Sequence, residues 1–284
     1  MSLHAVNILG INITNSPKNE ILEEIHKYLI PLSKTFQKPF VIVTPNPEQL
    51  VLAGRDSHFA ELLNQADVAI PDGTGLVWAR PKDISEVIPG VDFMDELVAN
   101  FSKQRVPIAL IGGQEKVALK AFECLRQKYP GLSGVAMDTP EFSIGPSGLS
   151  MKGNIDEYFQ NLALDLQKKN IRIVFVGLGA PKQEYFIERL TMSLRGVPIA
   201  GTTRQSHKQI ASPSERSRND NMVLMSVGGS FDELSGRLPR APLWMSRLGL
   251  KWLWRLFLEP WRIGRQLALI RFIWEVLQKR YSLK

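Results

Sequence analysis

Short apolar runs alternate with amphipathic helical patterns along residues 5–227, and this alternation constrains the fold more than any other feature of the chain. We predict strands at 5–10, 40–44, 67–70, 107–112, 133–137, 171–177 and 222–227. We predict helices between them, at 18–30, 58–65, 91–103, 115–128, 155–169 and 182–190. Strands that alternate with helices pair in parallel through right-handed crossovers. The sequence therefore predicts an α/β fold, with a Rossmann-like, mostly parallel sheet and helices on both faces.

Two polar segments interrupt this alternation. Residues 138–153 are rich in Gly, Pro and Ser, and we predict that they form a loop. Residues 201–221 lack any sustained apolar period, which is typical of an exposed, flexible surface insertion. The predicted core domain, residues 1–236, includes this insertion.

The remaining segment, residues 237–284, differs sharply from the core in composition. It holds eleven Lys and Arg against two acidic residues, together with five of the six tryptophans, whereas residues 1–236 are nearly neutral. Basic residues bind anionic headgroups, and indole rings favour the lipid–water interface. We therefore predict a helical, membrane-associating appendage over 237–284. The alternative is a solvated basic face on a helix that packs against the core.

The spacing within this appendage predicts two helices. Arg247, Lys251 and Arg255 recur every four residues and form one basic stripe on a helix over 243–258, which Pro260 should end or kink. Beyond it, five apolar residues follow a 4-3-4-3 spacing: Ile263, Leu267, Ile270, Trp274 and Leu277. This face could meet lipid, the core or another subunit, and the spacing does not distinguish these.

The chain shows neither a signal peptide nor a run of 18 apolar residues, so we expect a cytoplasmic protein that is peripheral on the inner face of the cell membrane. The single cysteine, Cys124, has no partner for an internal disulfide, and its helical pattern predicts a small core residue.

Two loops that follow predicted strands carry polar side chains. Thr44 and Asn46 could hydrogen-bond a sugar or a nucleotide, or could cap the next helix, and the residues favour neither alternative. Asp72 and Gly73 follow the predicted strand at 67–70, and a carboxylate at this place could act as a general base. Taken alone, this second loop is better explained as a simple Asp-Gly turn.

A third loop, Gly177-x-Gly179 followed by Lys182 and Gln183, runs from a buried strand into a helix. Backbone N–H groups at such a helix start can hold a phosphate or sugar oxygen. The loop lacks the third glycine of a dinucleotide-binding motif. A dinucleotide-dependent oxidoreductase would also need an acidic ribose-binding residue at the end of the next strand, and no residue there fits.

Taken together, the motifs resemble those of the WecG/TagA/CpsF glycosyltransferases (glycosyltransferase family 26), in the same order over about residues 5–275. The matching segments are Thr44-Pro-Asn46, Pro71-Asp-Gly73, 177–184, 227–232, Arg240-Ala-Pro242, 249–255, Glu259-Pro260 and Arg262-x-x-Arg265.

The resemblance implies transfer of a sugar from a UDP-sugar to a polyprenyl-diphosphate-linked sugar, with inversion at the anomeric carbon. Asp72 matches the aspartate proposed in the family as the base that deprotonates the acceptor. Thr44, Asn46 and Gln183 match residues that line the same pocket. The expected activity is that of a UDP-sugar-dependent hexosyltransferase in cell-surface polysaccharide or wall-polymer synthesis.

The family's tail arginines, here Arg255, Arg262 and Arg265, are thought to close over the site at the membrane and hold the diphosphate. Guanidinium donors suit the negative charge that develops on a leaving UDP. The sequence contains no Asp-x-Asp metal clamp, so we expect no metal and no cofactor beyond the UDP-sugar substrate. The expected partners are the two substrates and the inner leaflet, with no nucleic acid, and a homo-oligomer is possible.

Three features depart from the family pattern. Lys251 stands where a Glu is common, and the segment 86–89 lacks an Arg usually found before Gly90-x-Asp92. The excursion at 201–221 is longer than the family's short link. Two other functions stay open at this point. A nucleic-acid-binding protein would bind single strands in a salt-sensitive way and would not use Asp72. A catalytically silent membrane scaffold would keep the tail but lack turnover.

Overall fold

The computed structural model describes residues 3–30, 38–84, 86–145, 148–196, 221–242, 244–245, 250–260 and 263–282, without the side chains of residues 265, 266 and 280–282. Its centre is a six-stranded, all-parallel sheet flanked by helices. The α/β, Rossmann-like prediction is therefore confirmed.

The described strands and helices follow the chain in this order. The strands are β1 Ala5–Ile8, β2 Ile11–Thr14, β3 Phe40–Val43, β4 Val68–Ala69, β5 Ile108–Gly112, β6 Gly134–Met137, β7 Phe142–Gly145, β8 Gly148–Met151, β9 Ile173–Gly177 and β10 Val223–Ser226. The core helices are α1 Lys18–Leu29, α2 Pro47–Ala53, α3 Ser57–Gln65, α4 Thr74–Ala79, α5 Gly90–Ser102, α6 Val117–Lys128, α7 Ile155–Lys168, α8 Lys182–Leu194 and α9 Ser230–Leu234. Two more helices, α10 Lys251–Leu258 and α11 Ile263–Ser282, belong to the tail.

The strand order in the central sheet is β4-β3-β10-β9-β5-β6. Successive strand residues face opposite sides, so Ile108 and Leu110 join one apolar core while Ala109 and Ile111 join the other. Helices α1, α5, α6 and α9 cover one face, and α2, α3, α4, α7 and α8 cover the other. This two-sided burial explains why the strands are continuous apolar runs.

The predicted strand at 5–10 is present as β1, residues 5–8, but it does not join the central sheet. They pair antiparallel with β2 in a separate hairpin. Leu9 and Gly10 both have positive φ, 51° and 93°, which is the backbone that a two-residue hairpin turn requires. Ile11 and Ile13 on β2 are buried and anchor the hairpin to the core.

The segment predicted as a loop, 138–153, contains a second hairpin, β7 and β8. Phe142 and Leu149 are buried in the core cluster that includes α7 and α8, and this burial stabilises strands that their Gly and Ser content does not favour. The predicted insertion at 201–221 lies outside the described residues except for Asn221. Asn221 is buried, and its amide donates to the Tyr28 carbonyl.

The tail folds back against the core. In α11, Phe272 and Val276 are buried, and the helix packs against α2 and α4. In α10, the Trp254 indole donates to the Pro239 carbonyl at 2.9 Å. None of the helices that the structure describes has the length and apolar content needed to cross a bilayer. Cys124 is exposed on α6, so the prediction of a core cysteine is wrong.

Candidate active site

The carboxyl ends of four neighbouring strands meet at one edge of the sheet. Thr44 follows β3, Asp72 follows β4, Gly177 ends β9 and Gly228 follows β10. Ligands of open parallel sheets bind at this edge. The fold therefore brings the three loops singled out from the sequence to the same side of the molecule.

Asp72 is held by the loops on both sides of it. Its backbone N–H donates to the Pro45 carbonyl at 3.0 Å, and the neighbouring Pro71 carbonyl accepts from the Ile88 N–H at 2.9 Å. The side chain is half-buried. Burial raises the pKa of the Asp72 carboxyl to about 6, although a hydrogen bond from the Gly90 backbone acts in the opposite direction. A carboxyl with this pKa is ionised at neutral pH and binds a proton more strongly than an ordinary aspartate does.

Thr44 lies on the other side of Gly90. A Cβ on Gly90 would approach Thr44 Cγ2 to 3.1 Å, so the glycine lets α5 begin close to both Thr44 and Asp72. The Thr44 hydroxyl donates to the Ser226 carbonyl at 3.3 Å. Thr44 is therefore next to the proposed base, and its hydroxyl also joins β3 to β10.

Asn46 caps a helix that the sequence analysis missed. Its side-chain oxygen accepts from the Gln49 N–H at 3.0 Å, and Pro47 occupies the first turn of α2. The capping alternative is therefore present in the structure. Contact between Asn46 and substrate stays a prediction.

Gly73 begins α4 with a φ of 110°, which an L side chain rarely adopts. Two residues later, a Cβ on Gly75 would come within 2.6 Å of the Pro47 ring and 3.6 Å of the Phe272 ring. The helices that follow the Thr44 and Asp72 loops therefore touch each other and the tail helix α11. The tail packs directly behind the candidate site.

Gln183 does not face an open pocket in this structure. It is fully buried, its Oε1 accepts from the Gly228 N–H at 2.9 Å, and its Nε2 donates to Glu184 Oε1 at 2.8 Å. The side chain thus ties the start of α8 to the loop after β10. Its predicted contact with substrate is untested, and the role that the geometry shows is to fix the Gly228 loop.

Burial raises the pKa of the Glu184 carboxyl to about 7, while hydrogen bonding by Gln183 lowers it. The nearby Ser226 hydroxyl also lowers the Glu184 pKa. Ser226 Oγ and Glu184 Oε2 are both buried, and neither atom forms a well-aligned hydrogen bond within the described part of the chain. Glu184 therefore binds a proton in the folded protein at pH values where the unfolded chain has lost it.

We expect Glu184→Gln to gain stability relative to the parent protein as the pH rises from 5 to 8. Between the unfolded pKa, 4.5, and the folded pKa, about 7, the unfolded chain ionises first, so the parent loses stability with rising pH. The amide cannot ionise and avoids this loss, which is on the order of 2–3 kcal/mol. Urea unfolding of both proteins at the two pH values measures the difference. A pH-independent difference would mean that Glu184 ionises normally.

The Gly177–Gly179 loop is shaped by close packing. A Cβ on Gly177 would lie 2.6 Å from the Phe231 ring, and one on Gly112 would lie 2.7 Å from the Gly177 carbonyl oxygen. Gly179 has a φ of 74° and open space where a Cβ would be. Lys182 is half-buried at the first position of α8. Binding of substrate by Gly73, Gly177, Gly179 and Lys182 stays a prediction.

Arg255 reaches the same edge of the sheet from the tail. Its Nη2 donates to the Gly229 carbonyl at 3.3 Å, and its Nε lies 3.8 Å from Glu233 Oε1. Arg262 lies outside the described residues, as does the side chain of Arg265. The structure therefore tests the placement of only one of the three predicted tail arginines, and that one lies beside the loop after β10.

Three charged residues near Asp72 were missed as site residues. Lys251 on α10 forms an ion pair with Asp92 on α5, with Nζ 3.0 Å from Oδ2. The Lys251 charge lowers the Asp72 pKa, whereas the charges of Glu233 and Asp92 raise it. Lys251 was visible in the basic stripe, but its pairing across 159 positions of the chain has no signal in a single sequence.

The comparisons with known proteins agree with this geometry. The family model described as "Glycosyl transferase WecG/TagA/CpsF family" matches residues 6–211 and 201–284. This chain belongs to the WecG/TagA/CpsF family and is a glycosyltransferase. Similar proteins from Staphylococcus aureus, in strains MRSA252 and COL, are each 27% identical over 284 residues, or 98% of this chain and 94% of theirs. Both are named N-acetylglucosaminyldiphosphoundecaprenol N-acetyl-beta-D-mannosaminyltransferase.

Members of the WecG/TagA/CpsF family are thus relatives over essentially the whole chain, including the tail. Of the motifs on which the resemblance was based, the fold brings those at 44–46, 71–73, 177–184 and 227–232 to one edge of the sheet, together with Arg255 of the tail. Within the described part of the chain, no three His, Cys, Asp or Glu side chains are grouped in a way that could hold a metal ion. Metal independence stays an expectation.

Proposed function

We propose that this glycosyltransferase moves N-acetylmannosamine from its UDP derivative to N-acetylglucosamine carried on a polyprenyl diphosphate, with inversion. The product would serve in the synthesis of a cell-surface polysaccharide or wall polymer. The observation that carries the proposal is Asp72, a half-buried carboxyl of raised pKa, about 6, at the carboxyl edge of the sheet and beside a cationic tail helix. The choice of sugars follows the names of the relatives.

In the proposed reaction, ionised Asp72 accepts the proton of the acceptor hydroxyl as its oxygen attacks the anomeric carbon. The bond from that carbon to the UDP oxygen breaks, and its electron pair leaves with UDP. Attack from the side opposite the leaving group inverts the anomeric centre. Arg255, on α10 beside the loop that follows β10, stabilises the charge that develops on the diphosphate.

We also propose that the transfer reaction requires no metal ion. Arginines are fixed charges that can bind a diphosphate in a forked geometry and thereby supply the stabilisation that a divalent cation gives elsewhere. We therefore expect EDTA to leave the transfer rate unchanged.

The tail is proposed to dock on the inner leaflet, where the lipid-linked acceptor would be reached. Its outer face, defined by Ile263, Leu267, Ile270, Trp274 and Leu277, points away from the core. Ile263 is 68% exposed, Ile270 65% and Trp274 57%. Such a face on a basic segment suits an anionic bilayer surface. A homo-oligomer and the absence of a nucleic-acid partner stay predictions.

We expect Ile270→Asp to weaken binding to anionic phospholipid vesicles by about tenfold or more, because one buried apolar side chain contributes about 1.5–3 kcal/mol and a carboxylate repels the surface. Leu119→Asp is the matched control, since Leu119 is an exposed apolar residue on the core helix α6. Vesicle co-sedimentation compares the two variants with the parent chain. Equal binding of Ile270→Asp and the parent would exclude the outer face of α11 as the docking surface.

The proposed function is tested by incubating the protein with a panel of UDP-sugars and a short-chain lipid-diphosphate N-acetylglucosamine. Mass spectrometry of the lipid product identifies the transferred sugar, and NMR of the new linkage gives its anomeric configuration. We expect a product only with UDP-N-acetylmannosamine, in the β configuration. Transfer of another sugar would correct the donor, and a retained configuration would contradict the single-displacement mechanism.

A further inference from the structure

Two cations of one tail helix lie at the edge of the core that carries Asp72. Lys251 and Arg255 lie one turn apart on α10 and face the core. Lys251 Nζ is 3.0 Å from Asp92 Oδ2, and Arg255 Nε is 3.8 Å from Glu233 Oε1. The core contributes the carboxylates of Asp92 and Glu233 and, on α1, Lys18, whose charge interacts with that of Asp92, so docking of α10 adds positive charge at this place.

Lys251 is the cation connected most directly to Asp72. Its partner Asp92 lies in the first turn of α5, two residues beyond Gly90, and the Gly90 backbone hydrogen-bonds the Asp72 carboxyl. Lys251 is therefore held next to the short segment that holds Asp72. The positive charge of Lys251 lowers the Asp72 pKa and thus favours the ionised carboxylate.

Two nearby carboxylates act on the Asp72 pKa in the direction opposite to Lys251. From α9, the Glu233 charge disfavours ionisation of Asp72, and from α5 the Asp92 charge does the same. Residues 44–47 and 73–79, which contain the neighbouring loop and α4, carry no ionisable side chain. Within the described part of the tail, Lys251 opposes these two carboxylates at Asp72.

We propose that Lys251 is a positioning residue: held by Asp92, it places a positive charge beside Asp72, so that docking of α10 on the core favours the base-competent form. This inference rests on the proposed role of Asp72. Because linkage is reciprocal, ionised Asp72 also favours the docked tail, and a protonated Asp72 weakens it. Docking of the appendage would then favour ionisation of Asp72 in addition to covering the site.

Lys251→Met and Asp92→Asn separate this proposal from a purely structural ion pair. Loss of the lysine removes the charge that favours ionisation, so the acid limb of the kcat/KM profile moves to higher pH, by about half a unit or more. Asp92→Asn removes the Asp92 charge and also releases Lys251, whose effect on Asp72 is the larger of the two, so its acid limb also moves to higher pH, but by less than that of Lys251→Met. A pair that merely pins the tail predicts a loss of turnover in both variants with no shift of the limb.

Two further variants complete the test. Lys251→Arg keeps the charge, and its acid limb should stay close to that of the parent. Lys169→Met removes a lysine that pairs with Asp165 at the end of α7, just before the amino end of β9, and should leave the limb unchanged. The proposal is overturned if the Lys251→Met limb coincides with the parent's or moves to lower pH.

A second readout does not depend on sugar transfer. The ¹³C carboxyl resonance of Asp72, assigned by its absence in Asp72→Asn, reports the titration of this group in the intact chain. Lys251→Met should shift its midpoint upward, and an unmoved midpoint would overturn the proposal. If the midpoint moves but Asp72→Asn transfers sugar normally, the charge coupling stands and the proposed base is wrong.

Discussion

Asp72→Asn is expected to lower kcat for sugar transfer by about 10²–10⁴-fold, the usual contribution of a positioned general base. The amide has nearly the shape of the carboxylate and keeps an oxygen for the Gly90 N–H, but it cannot accept the acceptor's proton. KM for the donor should change little, because the variant still has the loops at the sheet edge. Steady-state kinetics with varied donor and saturating acceptor measure both parameters.

The same residue predicts the pH dependence. Only the ionised carboxylate can act as a base, and the Asp72 pKa is raised to about 6. We therefore expect kcat/KM to be constant above about pH 7 and to fall as the pH drops through about 6. Asp165→Asn, an exposed change on α7, is the control. A variant at position 72 with more than a tenth of parental turnover, or a flat profile through pH 6, would contradict the role of Asp72.

Arg255→Ala is expected to have the second largest effect, a fall in kcat of about 10²–10³-fold, similar to the loss of one donor that stabilises transition-state charge. Arg255 lies over the loop after β10, with Nη2 3.3 Å from the Gly229 carbonyl oxygen. From this place its guanidinium group can meet a diphosphate at the carboxyl edge of the sheet. Charge on UDP grows as its bond to the sugar breaks, so the loss should appear mainly in kcat.

Arg255→Lys keeps the positive charge and loses the forked geometry, so we expect only partial recovery of turnover. Arg271→Ala is the matched control, because Arg271 lies on the tail helix α11 and pairs with Glu275 at 2.7 Å. Circular dichroism and thermal unfolding establish that each variant is folded. Arg255→Ala with parental turnover would show that the tail arginine does not support the chemistry.

Local pattern was sufficient to predict the main sheet. The runs at 40–43 and 173–177 are short, apolar and β-branched, and such runs favour strands buried on both faces. Their alternation with helices then limited the topology to parallel pairing. The hairpin of β1 and β2 was missed because its turn depends on positive φ at Leu9, a residue that gives no turn signal.

Less of the candidate site could be predicted, because its geometry depends on contacts between distant segments. Asp72 was singled out from its place after a strand, which is a local feature, but only the resemblance to the family favoured a base over a simple Asp-Gly turn. The buried position of Gln183 follows from its hydrogen bond to Gly228, 45 residues away, and no periodicity reports such a bond. The ion pair of Lys251 with Asp92 likewise exists only once the tail has folded back.

The most direct test of the account is UDP release by the 284-residue chain, given UDP-N-acetylmannosamine with and without a short-chain lipid-diphosphate N-acetylglucosamine. Asp72→Asn is measured beside it. The account predicts release that requires the acceptor and that is lost in the variant. Equal release by the variant, or no acceptor-dependent release with any UDP-sugar, would contradict it.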